Sequence, residues 1–140
     1  MTTEEKMERR KYKHWRFPRV VDADSFLNVD QIHPIKQRAV KRIVEAASMD
    51  DAVMRIIIFG SATRYDCDIT SDLDICIDWR NDCYDNEGVL KPFTRNMRSV
   101  ISSATQGKAD VVNYAYLEGT KVKGAVEEGV TVYECHVATE

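Results

Sequence analysis

Apolar residues along this chain recur with two different periods, and the changes between them mark its elements. Ile35, Val40, Ile43, Val44 and Ala47 fall at helical intervals, so residues 31–48 read as a helix. Pro34 sits in its first turn, where a missing N–H is harmless, with Asp30 or Gln31 around the cap. Val53 to Phe59 (VMRIIIF) is a short β-branched run closed by Gly60, the pattern of a strand buried on both faces. Asp72-Leu-Asp-Ile-Cys-Ile-Asp instead alternates strictly. It predicts a second strand with Leu73, Ile75 and Ile77 on one side and Asp72, Asp74, Cys76 and Asp78 on the other. Trp79 to Pro92 is polar and irregular, but Leu90, Phe93, Met97, Val100 and Ile101 give helical spacing up to a Gln106-Gly107 stop. Ala109 to Leu117 (ADVVNYAYL) reads as a third strand, Thr120 to Glu128 as a short helix, and Val130 to Val137 as a fourth strand entered through Gly129. The order α-β-β-α-β-α-β predicts an α+β (mixed α/β) fold, a mixed central sheet of about four strands with helices packed on it.

Composition sets the boundaries. The 140 residues, 44% hydrophobic and 31% charged with six glycines and three prolines, suffice for one globular domain and leave little room for a second. The net charge of −3 is unevenly spread, because residues 6–19 carry seven Lys/Arg against Glu8 alone. The chain is therefore divided into a basic N-terminal arm, residues 1–30, and a single domain, residues 31–140. Tyr12, Trp15 and Phe17 interleave with the arm's cations, a pattern that suits stacking and phosphate contact with nucleic acid. Aromatics packed on the domain with the charges solvated is the favoured reading. No apolar run is long enough for a membrane span and the N-terminus lacks a signal-peptide core. Cys67, Cys76, Cys83 and Cys135 contain no C-x-x-C pair, so reduced thiols in a cytoplasmic protein without a membrane partner are expected. His14, His33 and His136 lack metal-ligand spacing.

Candidate chemistry concentrates between Phe59 and Asp74. Gly60 ends a buried strand and frees the backbone to turn sharply, so that main-chain N–H groups and the Ser61 hydroxyl can approach a phosphate. Asp72 and Asp74, two apart on a strand, project their carboxylates to the same side, within reach of one hard cation of the Mg²⁺ type. An EF-hand beginning at Asp66 is excluded, since that loop would need Gly where Ser71 stands and Glu where Ile77 stands.

The run Ile56-Ile57-Ile58-Phe59-Gly60-Ser61 followed by Ser71-Asp72-Leu73-Asp74-Ile75 resembles the signature of the nucleotidyltransferase superfamily related to DNA polymerase beta, and most closely its minimal nucleotidyltransferase branch. The resemblance extends over roughly residues 31–137, the ending Glu127-Glu128-Gly129-Val130-Thr131-Val132-Tyr133-Glu134 included. It implies a polymerase beta-like fold and a third metal carboxylate at Asp110, in Lys108-Ala-Asp-Val-Val, with Asp78 and Asp82 as alternatives. It also implies that Gly60, Ser61 and Arg64 bind the nucleotide. Many relatives carry glycine where this chain has Tyr65, a departure that bears on the turn after the phosphate pocket.

The resemblance further implies a nucleotidyltransferase using two Mg²⁺ ions and an NTP donor, ATP favoured, with Asp72, Asp74 and Asp110 both catalytic and metal-binding. The leading expectation is AMP transfer to a hydroxyl on a partner protein, such as a HEPN-type toxin silenced by an antitoxin of this type, in a homodimer or hetero-complex. A small aminoglycoside or lincosamide nucleotidyltransferase, and a non-catalytic nucleotide- or partner-binding module of the same fold, are the alternatives.

Overall fold

Strand β1 (Val53–Phe59) lies inside the sheet, and its near-continuous apolar run is what a strand with cover on both faces requires. The computed structural model describes residues 16–91 and 95–135. It shows a four-stranded mixed sheet in the order β3-β2-β1-β4, the α+β architecture that the pattern predicts. Strand β2 (Leu73–Trp79) and β4 (Val130–Glu134) run antiparallel to β1, while β3 (Ala109–Asn113) runs parallel to β2. A parallel neighbour demands a crossover, and helix α2 (Arg95–Thr105) supplies it between β2 and β3.

The two faces are covered unequally. On one, α1 (Pro34–Ser48) and α2 pack Val40, Ile43, Val44, Ala47, Met97 and Ile101 against Ile56, Ile58, Leu73, Ile75 and Ile77. On the other, among the described residues, Ile57, Phe59 and Cys76 meet Leu117 and Val126, the latter from the short helix α3 (Val122–Glu127), with Val112 and Tyr114 at the margin. The alternation of β2 therefore holds, with Leu73, Ile75 and Ile77 fully buried toward the helices. Burial on the thin face pushes the Cys76 thiol up to about 12, which keeps it protonated and unreactive.

Several boundaries differ from the expected ones for local reasons. His33, rather than Asp30 or Gln31, caps α1: its Nδ1 accepts from the Ile35 amide at 3.2 Å, and Pro34 takes the first helical position. Val29–Gln31 is a separate 3₁₀ turn. Ile35, counted in the apolar stripe, is exposed. Leu90 is not helical but pairs with Tyr84 in an isolated bridge, and Phe93 lies outside the described residues. Strand β3 stops at Asn113, whose Oδ1 accepts from the Ala115 amide and turns Tyr114–Tyr116 into a 3₁₀ helix. The third helix spans Val122–Glu127 rather than Thr120 to Glu128, and β4 ends at Glu134. Of the segment assigned to the arm, Phe17, Phe26 and Val29 are buried, and Gln37 clasps it by accepting from the Val20 amide and donating to the Pro18 carbonyl. Tyr12 and Trp15 lie outside the described residues.

Gly129 enters β4 where there is no room for a side chain: a Cβ there would stand 2.7 Å from the Ile58 carbonyl oxygen and 2.8 Å from Ile57 Cγ2. Gly129→Ala is expected to cost about 1–3 kcal/mol through overpacking. Urea unfolding checks this as a lower midpoint with an unchanged slope.

Candidate active site

The site begins where β1 ends. Phe59 is extended (φ −137°, ψ 178°), and Gly60 then reverses the chain at φ +73° into a 3₁₀ turn, Gly60–Thr63. That conformation favours glycine on its own, and the Asp74 side chain fills the space beside it. A Cβ on Gly60 would lie 2.2 Å from Oδ2 of Asp74, so the carboxylate occupies the space that any other residue's side chain would need. Asp74 is the direct β-ladder partner of Phe59, which explains why its side chain stands over the turn. The turn is fastened by Thr63 Oγ1 donating to the Gly60 carbonyl at 2.8 Å and by the His33 amide donating to the Ala62 carbonyl at 2.8 Å.

Asp74 faces the thinly covered side of the sheet and is half-buried, while Asp72 and Asp110 are exposed. Asp110 pairs in register with Asp74 across the parallel β2–β3 ladder, about 4.8 Å away between strands. Asp72 lies just before β2, two residues from Asp74, and so has the same directional preference. The three share an electrostatic field. The Asp74 carboxyl is raised above the ordinary carboxylate range by burial first, then by Asp110 and Asp72, with Arg64 partly opposing. Among the described residues, no three His, Cys, Asp or Glu side chains form a ready-made ion cage. Asp72 and Asp110 both oppose ionisation of Asp74, and the three carboxylates do not converge on one point. Their all-oxygen chemistry fits a hard divalent ion.

Ser61 lies at the mouth of the turn and its hydroxyl donates to the Asp72 carbonyl at 3.4 Å, a long contact that leaves Oγ able to rotate. Arg64 leaves the turn exposed, 3.5 Å from Asp66, with its charge still acting on Asp74. Tyr65 does not break the local geometry. The non-glycine residues with positive φ among those described are Asn28 and Gln106, so the position where relatives carry glycine is not left-handed in this chain. The loop that returns to β2 is instead organised by Asp68, whose Oδ1 accepts from the Thr70 amide at 2.8 Å. Hydrogen bonds from Thr70 hold the Asp68 carboxyl below its ordinary value.

The alternatives to Asp110 are engaged elsewhere. Asp78 lies four residues along β2 from Asp74, about 13 Å at 3.3 Å per residue, and pairs with Arg55 at 3.4 Å. Asp82 is exposed beyond the strand and accepts from Arg80 at 2.9 Å. Sequence reasoning passed over Lys36, which reaches from α1 to the Ser71 carbonyl beside Asp72. A lysine in a helix's first turn carries no signal of such a contact.

The family model described as Polymerase beta, Nucleotidyltransferase matches residues 41–136, more than two thirds of the chain, and the match includes Gly60, Ser61, Arg64 and the three aspartates. The chain belongs to this family. No curated protein matches it. The fold of this polymerase beta-type nucleotidyltransferase follows from that membership and from the observed mixed sheet together. None of its described helices is long and apolar enough to cross a membrane.

Because the folded-state carboxyl of Asp74 is raised, its contribution to the metal-free nucleotidyltransferase is fully present below the ordinary carboxylate value and is lost as pH rises through the raised one. Asp110→Asn should lower the Asp74 titration toward the ordinary value, read by NMR of its carboxyl carbon. An unchanged titration would contradict the adjacency of the pair. Gly60→Ala should also move this titration, besides costing about 1–2 kcal/mol for a left-handed alanine. Gly107→Ala, at φ +78° with open space around it, should show only that cost.

Proposed function

We propose that this chain transfers a nucleoside monophosphate, AMP in the favoured case, from an NTP to a hydroxyl acceptor with release of pyrophosphate. The carrying observation is that the Gly60 turn stands directly against the Asp74 side chain, with Asp72 two residues away and Asp110 in register across the ladder. Gly60 and Ser61 hold the triphosphate through main-chain N–H groups and the Ser61 hydroxyl, and Arg64 adds an exposed cation at the turn's exit. Asp72, Asp74 and Asp110 would hold two Mg²⁺ ions, which supply neutralisation of the attacking and leaving oxygens. The acceptor oxygen bonds to the α-phosphorus as the bond to the β-phosphate's bridging oxygen breaks, and pyrophosphate carries that electron pair away. Asp110, exposed at the sheet's margin, receives the acceptor's proton.

A protein acceptor is supported by the open face on which the carboxylates stand. Small molecules are usually enclosed in concave pockets. A cleft of about 620 Å³ does exist, lined by Ser25, Phe26, Val44 and Val132 among others, but none of the three aspartates borders it. An antitoxin that adenylylates a HEPN-type toxin is the form of this reading that we favour. The unconverged carboxylates favour, as second reading, a binding module that keeps the fold without catalysis.

Incubation with each of the four α-labelled NTPs, Mg²⁺ and a protein extract is expected to label protein from one nucleotide. Asp72→Asn/Asp74→Asn should lower that labelling at least about 100-fold, since several kcal/mol of charge stabilisation are lost. Equal labelling by the double variant would contradict the mechanism. Nucleotide binding without labelling from any of the four would favour the binding module.

A further inference from the structure

Lys36 is 9% exposed, so its side chain runs largely under the surface to the amino group. It lies in the first turn of α1, and its Nζ donates to the main-chain carbonyl of Ser71 rather than to a carboxylate. A methionine would fill the space of the stem but could not donate to the Ser71 carbonyl. A buried lysine in such a position points to a task at Ser71.

Ser71 precedes Asp72, whose C-terminal peptide is held by the Leu73 amide donating to the Lys108 carbonyl at 2.9 Å, while the Ser71–Asp72 peptide lies outside the ladder. Strand β2 and its pairing with β3 begin at Leu73, which anchors Asp74 and Asp110 inside the ladder and leaves Asp72 just outside it. Among the described residues, the Asp72 carbonyl receives the 3.4 Å contact from Ser61. The preceding turn closes on itself, with the Asp68 amide donating to Ser71 Oγ at 3.2 Å and the Ser71 amide to the Asp68 carbonyl at 3.1 Å. The bond from Lys36 ties it to a fifteen-residue helix whose own first turn is capped and packed.

We infer that Lys36 is a positioning residue: through the Ser71 carbonyl it sets the placement of Asp72, and with it the affinity of the three-aspartate set for a divalent cation. The inference rests on the metal reading of the proposed function.

The test is Mn²⁺ binding to the full chain, by calorimetry and by the loss of its free paramagnetic signal, alongside urea unfolding in the presence of a chelator. Lys36→Met should weaken Mn²⁺ binding by about tenfold or more, the range found when groups that orient metal ligands are removed. Its metal-free urea midpoint should stay close to that of the wild type, because the methionine fills the space of the stem. Lys36→Arg, which keeps a donor, should restore most of the affinity. A merely structural lysine would give the opposite pattern, lower metal-free stability with affinity unchanged in the folded fraction, and that result overturns the inference. Should Lys36→Met not fold, Lys36→Gln is read the same way. Wild-type protein that binds Mn²⁺ while Lys36→Met binds it equally overturns this inference alone. Wild-type protein that binds no Mn²⁺ overturns the metal reading and the inference with it.

Discussion

The position of the Asp74 carboxylate, in the space where a side chain at residue 60 would be, is the constraint on which the rest of the site depends. It couples two choices that are separate in the sequence, a glycine after one strand and an aspartate at the start of the next. Antiparallel pairing of Phe59 with Asp74 brings them together, and the left-handed backbone of Gly60 turns the chain before it collides with the carboxylate. The half-buried environment that results is also why the carboxyl is raised. The fold places a group that prefers to be ionised where ionisation is opposed, and a bound cation would relieve the opposition.

The sheet order extends that arrangement sideways. A parallel strand reached through α2 sets Asp110 beside Asp74, and the uneven cover of the two faces decides what surrounds them. Helices α1 and α2 seal one face with a continuous apolar core, whereas on the other the described residues give a smaller cluster around Leu117 and Val126. The carboxylates stand beyond that cluster. Rigid packing behind the sheet is what a site that must hold its own groups still requires. On the same face, farther along the strands, Arg55 pairs with Asp78 and stands 4.8 Å over the Tyr114 ring, which makes that end a structural cluster.

Much of this was legible in the sequence because it rests on short-range periodicity. The alternation through Leu73, Ile75 and Ile77, and the unbroken apolar run from Ile56 to Phe59, each have one good structural solution. The Gly60-Ser61 and Asp72-Leu73-Asp74 pattern could be found because it lies on those strands. Features decided by hydrogen bonds between distant residues were not legible. Asn113 ends β3 through its own side chain, where aromatic and β-branched composition suggested continuation to Leu117. Leu90 fits a helical stripe by spacing yet forms a bridge with Tyr84. His33 displaces Asp30 and Gln31 as the cap because Pro34 fixes where the helix can begin. Lys36 could be found only once Ser71 was seen against α1.

The most direct test of the account is calorimetric titration of the wild-type chain and of Asp72→Asn/Asp74→Asn with non-hydrolysable analogues of ATP, CTP, GTP and UTP, each with and without Mg²⁺. The account predicts binding of one analogue that requires both the metal and the two carboxylates. Binding that is indifferent to Mg²⁺ and unchanged in the double variant would contradict it, because the Gly60 turn and the aspartates would then not form one donor site.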